Sequence, residues 1–227
     1  MYVRIFCMII TYFGREHFKV TVGDLVVAIN PVSKEGSGKV AKYGADITLV
    51  TTNHPDYNGV EQTEHGEKVP FIVRGGGEFE VKDVFIKGFN TVTKLSEGKD
   101  PTSRGRSAGR EKEYQNTSYV LTLDGIRITF LGALSVMLQP EHKEIIDETD
   151  VLFIPVGEDG FLLNPYDAYK LAVSLESKLV IPMDYNEKSL PIFLKESGKK
   201  VDPVEKLTIK RKDIEGKLGE VVLFVEN

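Results

Sequence analysis

Six polar side chains fall within seven positions of the chain: Thr51, Thr52, Asn53, His54, Asp56 and Tyr57. They bring hydroxyls, an amide, an imidazole, a carboxylate and a phenol, groups that donate and accept hydrogen bonds and, at His54 and Asp56, exchange protons. Ahead of them, Ile47, Leu49 and Val50 make a short β-branched and apolar run of the kind that sits inside a sheet. Behind them Asn58-Gly59 is a strong turn signal. A strand end running into a loop is where α/β folds place their working groups, so any chemistry here begins where the strand stops.

The elements around this stretch belong to an ordinary globular chain. It has 227 residues, 41% hydrophobic and 28% charged, with a net charge of −5. One domain spanning 1–227 is expected. No run approaches the roughly 18 apolar residues needed to cross a bilayer. Residues 1–10 are mildly apolar but contain Arg4 and lack a small-residue cleavage site, so a cytoplasmic protein is expected. A single cysteine, Cys7, excludes an internal disulfide. Met8 offers a second translation start, which would make Met1–Cys7 an extension outside the fold.

Strands are expected at Ile9–Phe13, Phe18–Val22 and Leu25–Ile29, a hairpin-built start. Ser33–Lys39 reads as a polar, flexible loop. A P-loop would need Gly at Ser33 and Ser or Thr at Val40, and the spacing fails at both. Pro70–Arg74 is a strand, and Gly75-Gly76-Gly77 is a turn into a hairpin of Phe79–Val81 with Val84–Lys87. Leu95–Gln115 has almost nothing apolar and reads as an exposed, mobile loop. Within it, Lys99, Arg104, Arg106, Arg110 and Lys112 face only Asp100 and Glu111, a local +3. That is either a solvated insertion or an arm for an anionic ligand such as nucleic acid.

Tyr119–Leu123 and Ile126–Phe130 flank an Asp124-Gly125 turn, the clearest hairpin signal in the chain. Strand and helix then alternate: a helix over Pro140–Thr149, a strand over Asp150–Val156, a helix capped by Asn164-Pro165, and a strand over Lys178–Asp184. Two mostly β halves with helical cover give an α/β four-layer αββα sandwich, two mixed sheets between helices.

At this point a resemblance becomes visible. Val50-Thr-Thr-Asn-His-Pro-Asp-Tyr57 resembles the metal-binding segment of the metallo-β-lactamase-fold hydrolases, Thr-His-x-His-x-Asp-His at a strand end. Asn30-Pro31 resembles the family's Asp-Pro, Leu131-Gly-Ala-Leu134 stands where it has Gly-Asp-Thr, and Ile181-Pro-Met-Asp-Tyr185 resembles its Ile-Pro-Met-His-Tyr. The match runs from Met8 to about Asn186 and is nearest to a small branch of zinc-dependent hydrolases of that fold.

The resemblance implies a metal centre, but its ligands are largely replaced. The histidines fall on Thr52, His54 and Tyr57, and the aspartate on Asp56. The bridging aspartate falls on Ala133, the closing histidine on Asp184, and no histidine stands near Phe89-Asn-Thr91. The family's N-terminal Gly-His position carries Arg15. A two-metal site needs a bridging group, which Ala133 cannot supply. His54, Asp56 and Asp184 remain as a ligand set for a single divalent metal, zinc, manganese or iron, with His54 and Asp56 as the catalytic acid and base. The alternative is that these three cap the strand end and hydrogen-bond one another in a metal-free protein. Two functions therefore stay open: a weakly metallated hydrolase of an ester, amide or phosphodiester, or a non-catalytic binding or scaffold protein with a small-molecule or nucleic-acid ligand. Of the other histidines, His17 is expected at the surface, His65 in a polar turn and His142 in an exposed helix.

Overall fold

The computed structural model describes residues 7–96, 111–157 and 161–225. β1 (Met8–Tyr12), β2 (Phe18–Val22) and β3 (Leu25–Ile29) form an antiparallel meander, to which β4 (Ile47–Val50) and β5 (Phe71–Arg74) add in parallel. β6 (Gly77–Val81), β7 (Val84–Ser96), β8 (Glu111–Leu123) and β9 (Ile126–Phe130) then run antiparallel, each to the next. Helices and strands follow in turn: α1 (Pro140–Ile146), β10 (Val151–Pro155), α2 (Pro165–Ser174), β11 (Leu179–Met183), α3 (Ser189–Ser197), β12 (Lys206–Ile209), α4 (Arg211–Ile214) and β13 (Glu220–Val221). The strands make two mixed sheets, in the orders β12-β1-β2-β3-β4-β5 and β13-β11-β10-β9-β8-β7-β6.

Period-two alternation decides which side chains meet between the sheets. Ile10, Phe18, Ile29 and Leu49 from the first sheet share one buried cluster with Tyr119, Leu121, Phe130, Phe153 and Ile181 from the second. Phe18 meets Phe153 edge-on, with ring centroids 4.7 Å apart. On the outer face of the second sheet, Leu152, Ile154 and Val180 are covered by Ile146, Ala168, Leu171 and Phe193 of α1, α2 and α3. Asn164 caps α2 by accepting from the Asp167 N–H at 3.0 Å. Over the first sheet the fourth layer is thin. Thr48 on β4 pairs with Thr63, just past the 3-10 turn Val60–Gln62, at 2.8 Å.

Three local expectations change. β7 and β8 pair as far as Ser96 with Glu111, so strand occupies both ends of the segment expected as a loop. Just outside that segment, buried polar positions of the same two strands pair with one another: Asn116 Nδ2 donates to Thr91 Oγ1 at 2.7 Å, and Thr91 Oγ1 lies 3.3 Å from Ser118 Oγ. Lys99, Arg104, Arg106 and Arg110 lie outside the described residues. α1 stops at Ile146 rather than Thr149, because Asp147 takes a left-handed φ of 53°. His17, expected at the surface, is fully buried, with Nε2 2.8 Å from Tyr43 Oη. Among the described residues no helix is long and apolar enough to cross a membrane.

Candidate functional site

The end of β4 is fixed by Asn30, at the end of β3. Asn30 Oδ1 accepts from the Thr51 N–H at 2.9 Å, and its Nδ2 donates to Thr51 Oγ1 and to the buried Glu16, both at 2.8 Å. Asn30 sits at φ 47°, a left-handed conformation that asparagine tolerates better than most residues. Thr51 O in turn accepts from Thr117 N–H at 2.8 Å, joining the end of β4 to β8 of the other sheet.

Beyond this anchor, Asp56 and Asp184 converge on one cation. Arg15, in the turn between β1 and β2, places one guanidinium nitrogen 3.4 Å from Asp56 Oδ2 and 3.6 Å from Asp184 Oδ2. The same nitrogen lies 3.5 Å from Tyr57 Oη, while the other donates to Ser37 Oγ at 3.1 Å. Burial works against the charged guanidinium, but Asp184, Tyr57 and Asp56 outweigh it and hold its pKa well above the ordinary value. Tyr57 Oη donates to Asp184 Oδ2 at 2.9 Å. Burial, reinforced by Asp184, raises the phenol's pKa, so Tyr57 stays a neutral donor. Asp56 also accepts from the Ser37 backbone N–H at 2.5 Å and from Ser37 Oγ at 3.0 Å. The expected flexible loop at Ser33–Lys39 is therefore docked on the site through Ser37.

Next to the ion network the space is filled. Tyr57, fully buried, packs with Ala133 and Leu162, and Tyr114 leans on the same group. Asn116 Oδ1 accepts from Thr52 Oγ1 at 3.1 Å and from the Ala133 N–H at 3.2 Å. Its Nδ2 also donates to Leu131 O at 2.8 Å. At Gly132, φ 63°, a Cβ would come within 2.5 Å of Asn116 Oδ1, so the close approach requires glycine. Thr52 and Ala133, two of the replaced ligand positions, thus meet through Asn116.

His54 is half-buried, and its Nδ1 lies 3.3 Å from the Asp56 backbone N–H and 3.6 Å from Asp56 Oδ2. Accepting from that N–H assigns the neutral tautomer with its proton on Nε2. Burial lowers the His54 pKa and Arg15 adds to this, against the opposing pull of Asp56 and Asp184. Its ring stands edge-on to Tyr114 at 6.3 Å. His142 stacks on Phe89, and His65 bridges to Lys68 in an exposed turn, both away from the site.

The structure therefore brings Thr52, His54, Asp56, Ala133 and Asp184 into one neighbourhood, and the residues present do not fit a metal. Among the described residues no group of three or more His, Cys, Asp or Glu side chains is arranged to hold one. A divalent ion between Asp56 and Asp184 would stand against the Arg15 guanidinium, and it would compete with the Ser37 bonds to Asp56 and the Tyr57 bond to Asp184. The three expected ligands, His54, Asp56 and Asp184, thus meet with one Arg15 guanidinium nitrogen within 3.6 Å of both carboxylates. Arg15, Ser37 and Asn116 complete the site. The departure at Arg15 was visible in the sequence, whereas Asn116 carried no signal and Ser37 only that of a polar loop.

Two facing mixed sheets with helices outside, and polar groups gathered at the strand ends between them, define a metallo-β-lactamase-type sandwich. A model of the β-lactamase superfamily domain matches residues 9–184, and the chain belongs to this family of metallo-β-lactamase-fold metal-dependent hydrolases. A UPF0173 metal-dependent hydrolase of Lysinibacillus sphaericus is 25% identical over 208 residues, covering 79% of this chain and 86% of the relative. One from Methanosphaera stadtmanae is 26% identical over 215 residues, covering 83% and 90%. Among solved structures, a Thermotoga maritima protein assigned to the zinc-dependent hydrolases of this superfamily superposes with a TM-score of 0.70 at 23% identity, covering 96% of this chain and 98% of that one. That likeness shows the fold.

Proposed function

We propose that this chain is a metal-free member of the family, a binding or scaffold protein rather than a metal-dependent hydrolase. The observation that carries the reading is the filled centre: Tyr57 packs on Ala133 and Leu162 and donates to Asp184, where the family motif has a histidine, the bridging aspartate and another histidine. A hydrolytic metal needs about three protein ligands and an open position for water. Here the closing position holds a phenol-bonded carboxylate, and the bridging position holds a methyl group. A phenol with its pKa pushed up is a poor ligand and a good donor, which favours polar recognition over metal chemistry.

Elemental analysis of protein purified without chelator or affinity metal, beside assays on ester, β-lactam and phosphodiester reporters with added zinc, manganese or iron, tests the reading. Metal well below one ion per chain and no turnover are expected. Turnover by the natural chain that His54→Ala abolishes would overturn it. A second reading rests on the charge pattern of Lys99, Arg104, Arg106 and Arg110, between β7 and β8, and Lys112 at the start of β8: these residues serve as an arm for a nucleic acid.

A further inference from the structure

We propose that Gly36-Ser37-Gly38 is a strap seated in the polar centre of the cleft as a built-in ligand, and that the cleft, once the strap leaves, takes a seryl residue of a peptide, a hydroxyl beside an amide N–H. The inference deepens the reading of the chain as a metal-free binding protein and rests on it.

Ser37 brings two donors to one carboxylate. Its N–H donates to Asp56 Oδ1 at 2.5 Å, and its Oγ lies 3.0 Å from Oδ1 and 3.1 Å from Oδ2. Arg15 Nη1 donates to the same Oγ at 3.1 Å, so the hydroxyl gives one hydrogen bond and takes another. Both partners are charged groups, and bonds to them are stronger than bonds between neutral ones.

The fit is close. A Cβ on Gly36 would stand 2.7 Å from Pro55 O and 3.0 Å from Asp56 Oδ1, and one on Gly38 would stand 3.1 Å from Arg15 Cδ. The two glycines let the main chain lie directly on Asp56 and Arg15, where a side chain would hold it off.

Little else holds the strap down. The Ser33 N–H donates to Pro55 O at 2.9 Å and the Tyr43 N–H to Gln62 O at 3.0 Å, which fixes both ends of the loop. Between these points Lys34, Glu35, Ser37, Lys39 and Val40 are exposed, and no residue from 33 to 42 belongs to a buried apolar cluster. Ordering glycines costs more conformational entropy than ordering other residues, and apolar burial does not offset it here. The bonds of Ser37 therefore hold the strap, and it lifts without unfolding the sheets. What it leaves behind is a carboxylate with two acceptor oxygens and a guanidinium donor. A seryl residue meets all three at once, as Ser37 does, whereas an alanyl residue meets one and leaves the others unpaired.

The test is amide hydrogen exchange of the natural chain, Ser37→Ala and Gly36→Val, with N-acetylserinamide and N-acetylalaninamide titrated against each and followed by NMR. In the natural chain the Ser37 amide should exchange about tenfold or more slower than in a free peptide. Its exchange should respond to low urea far less than that of Ile10, held between β12 and β2, since a strap that lifts alone exposes little surface. Gly36→Val has no room against Pro55 O and should lose this protection while Ile10 keeps its own. It should bind N-acetylserinamide, with shifts at Asp56 and Tyr57, and ignore N-acetylalaninamide. Ser37→Ala, which keeps the main-chain bond, should lie between the two, and the natural chain should bind neither amide. The inference is overturned by a freely exchanging Ser37 amide in the natural chain or by equal protection in Gly36→Val. It is also overturned if Gly36→Val ignores N-acetylserinamide, binds both amides alike, or binds no better than the natural chain. Should Gly36→Val not accumulate, the same titration of Ser37→Ala decides: shifts from N-acetylserinamide alone support the inference, and shifts from both amides or from neither overturn it. The two readings fail separately. Bound metal or His54-dependent turnover in the natural chain would end the metal-free reading, whereas an open strap or an unselective cleft in metal-free protein would end this inference alone.

Discussion

Tyr57 and Asp184, 127 positions apart in the chain, share a hydrogen bond of 2.9 Å with the phenol as donor. Replacing Tyr57 by Phe keeps the ring against Ala133 and Leu162 but leaves one Asp184 oxygen without this donor. The loss should cost about 1–3 kcal/mol, the penalty for an unmet buried acceptor. Urea unfolding of Tyr57→Phe measures it, and an unchanged midpoint would mean that water replaces the phenol without cost.

Asn116 is the second such centre. It joins Thr91, Leu131, Thr52 and Ala133, so Asn116→Ala strands several buried groups at once. A loss of about 3 kcal/mol or more is expected. Gln115→Ala, at the preceding and exposed position of the same strand, is the control and should stay within about 0.5 kcal/mol of the natural chain. Equal midpoints for the two variants would deny Asn116 its bridging role.

His17 makes stability depend on pH. Burial, with help from nearby Lys19, lowers its pKa to about 3 in the folded chain. In the unfolded chain the imidazole titrates near the ordinary value of about 6.5. Between those values the unfolded state binds more protons, so stability falls as pH drops through the window and is fully present above it. His17→Gln removes the titrating group and should flatten the urea midpoint between about pH 4 and pH 7. An equally steep profile in the variant would place the acid sensitivity elsewhere.

Rebuilding the family's ligands tests whether the Arg15 guanidinium keeps a metal out. Thr52→His, Tyr57→His, Ala133→Asp and Asp184→His together, with Arg15 kept, should bind zinc weakly. Adding Arg15→His should tighten binding by about 10–100-fold, the scale on which groups near a metal act. Competition with a chromogenic chelator reads the difference. Equal affinities would show that the guanidinium yields freely to a metal.

If Arg104, Arg106 and Arg110 contact phosphate, single-stranded DNA or RNA should bind weakly and lose affinity steeply with salt. Alanine at all three should reduce the slope of log affinity against log salt by about 2, from roughly 0.7 per contact. Fluorescence anisotropy across a salt series measures this. No binding by the parent at low salt would leave the segment a solvated insertion.

The sheets could be read from the sequence because alternation and turn residues such as Asp124-Gly125 act over a few positions. The site neighbourhood was legible through its motif, since Thr52, His54, Asp56, Ala133 and Asp184 keep their places at strand ends. What joins them was not. Arg15 meeting Asp56 and Asp184 is a contact between distant segments, and nothing local marks which arginine will be buried between two carboxylates. Arg15-Glu16-His17 looks like a surface triplet, yet Glu16 and His17 are fully buried, where Asn30 Nδ2 donates to Glu16 Oε2 and Tyr43 Oη lies 2.8 Å from His17 Nε2.

β12 lies against β1 with Ile209 opposite Met8, although 201 positions of sequence separate them. A polypeptide leaving the ribosome displays β1 long before β12 is made, and domains fold as synthesis proceeds. Until Lys206–Ile209 emerges, Met8–Tyr12 is the open border of its sheet. That border is apolar at Met8, Ile10 and Tyr12, and it can template pairing with another nascent chain. Translation arrested shortly before residue 206 would therefore yield polypeptides that stick to one another, whereas the finished chain covers this border with its own β12.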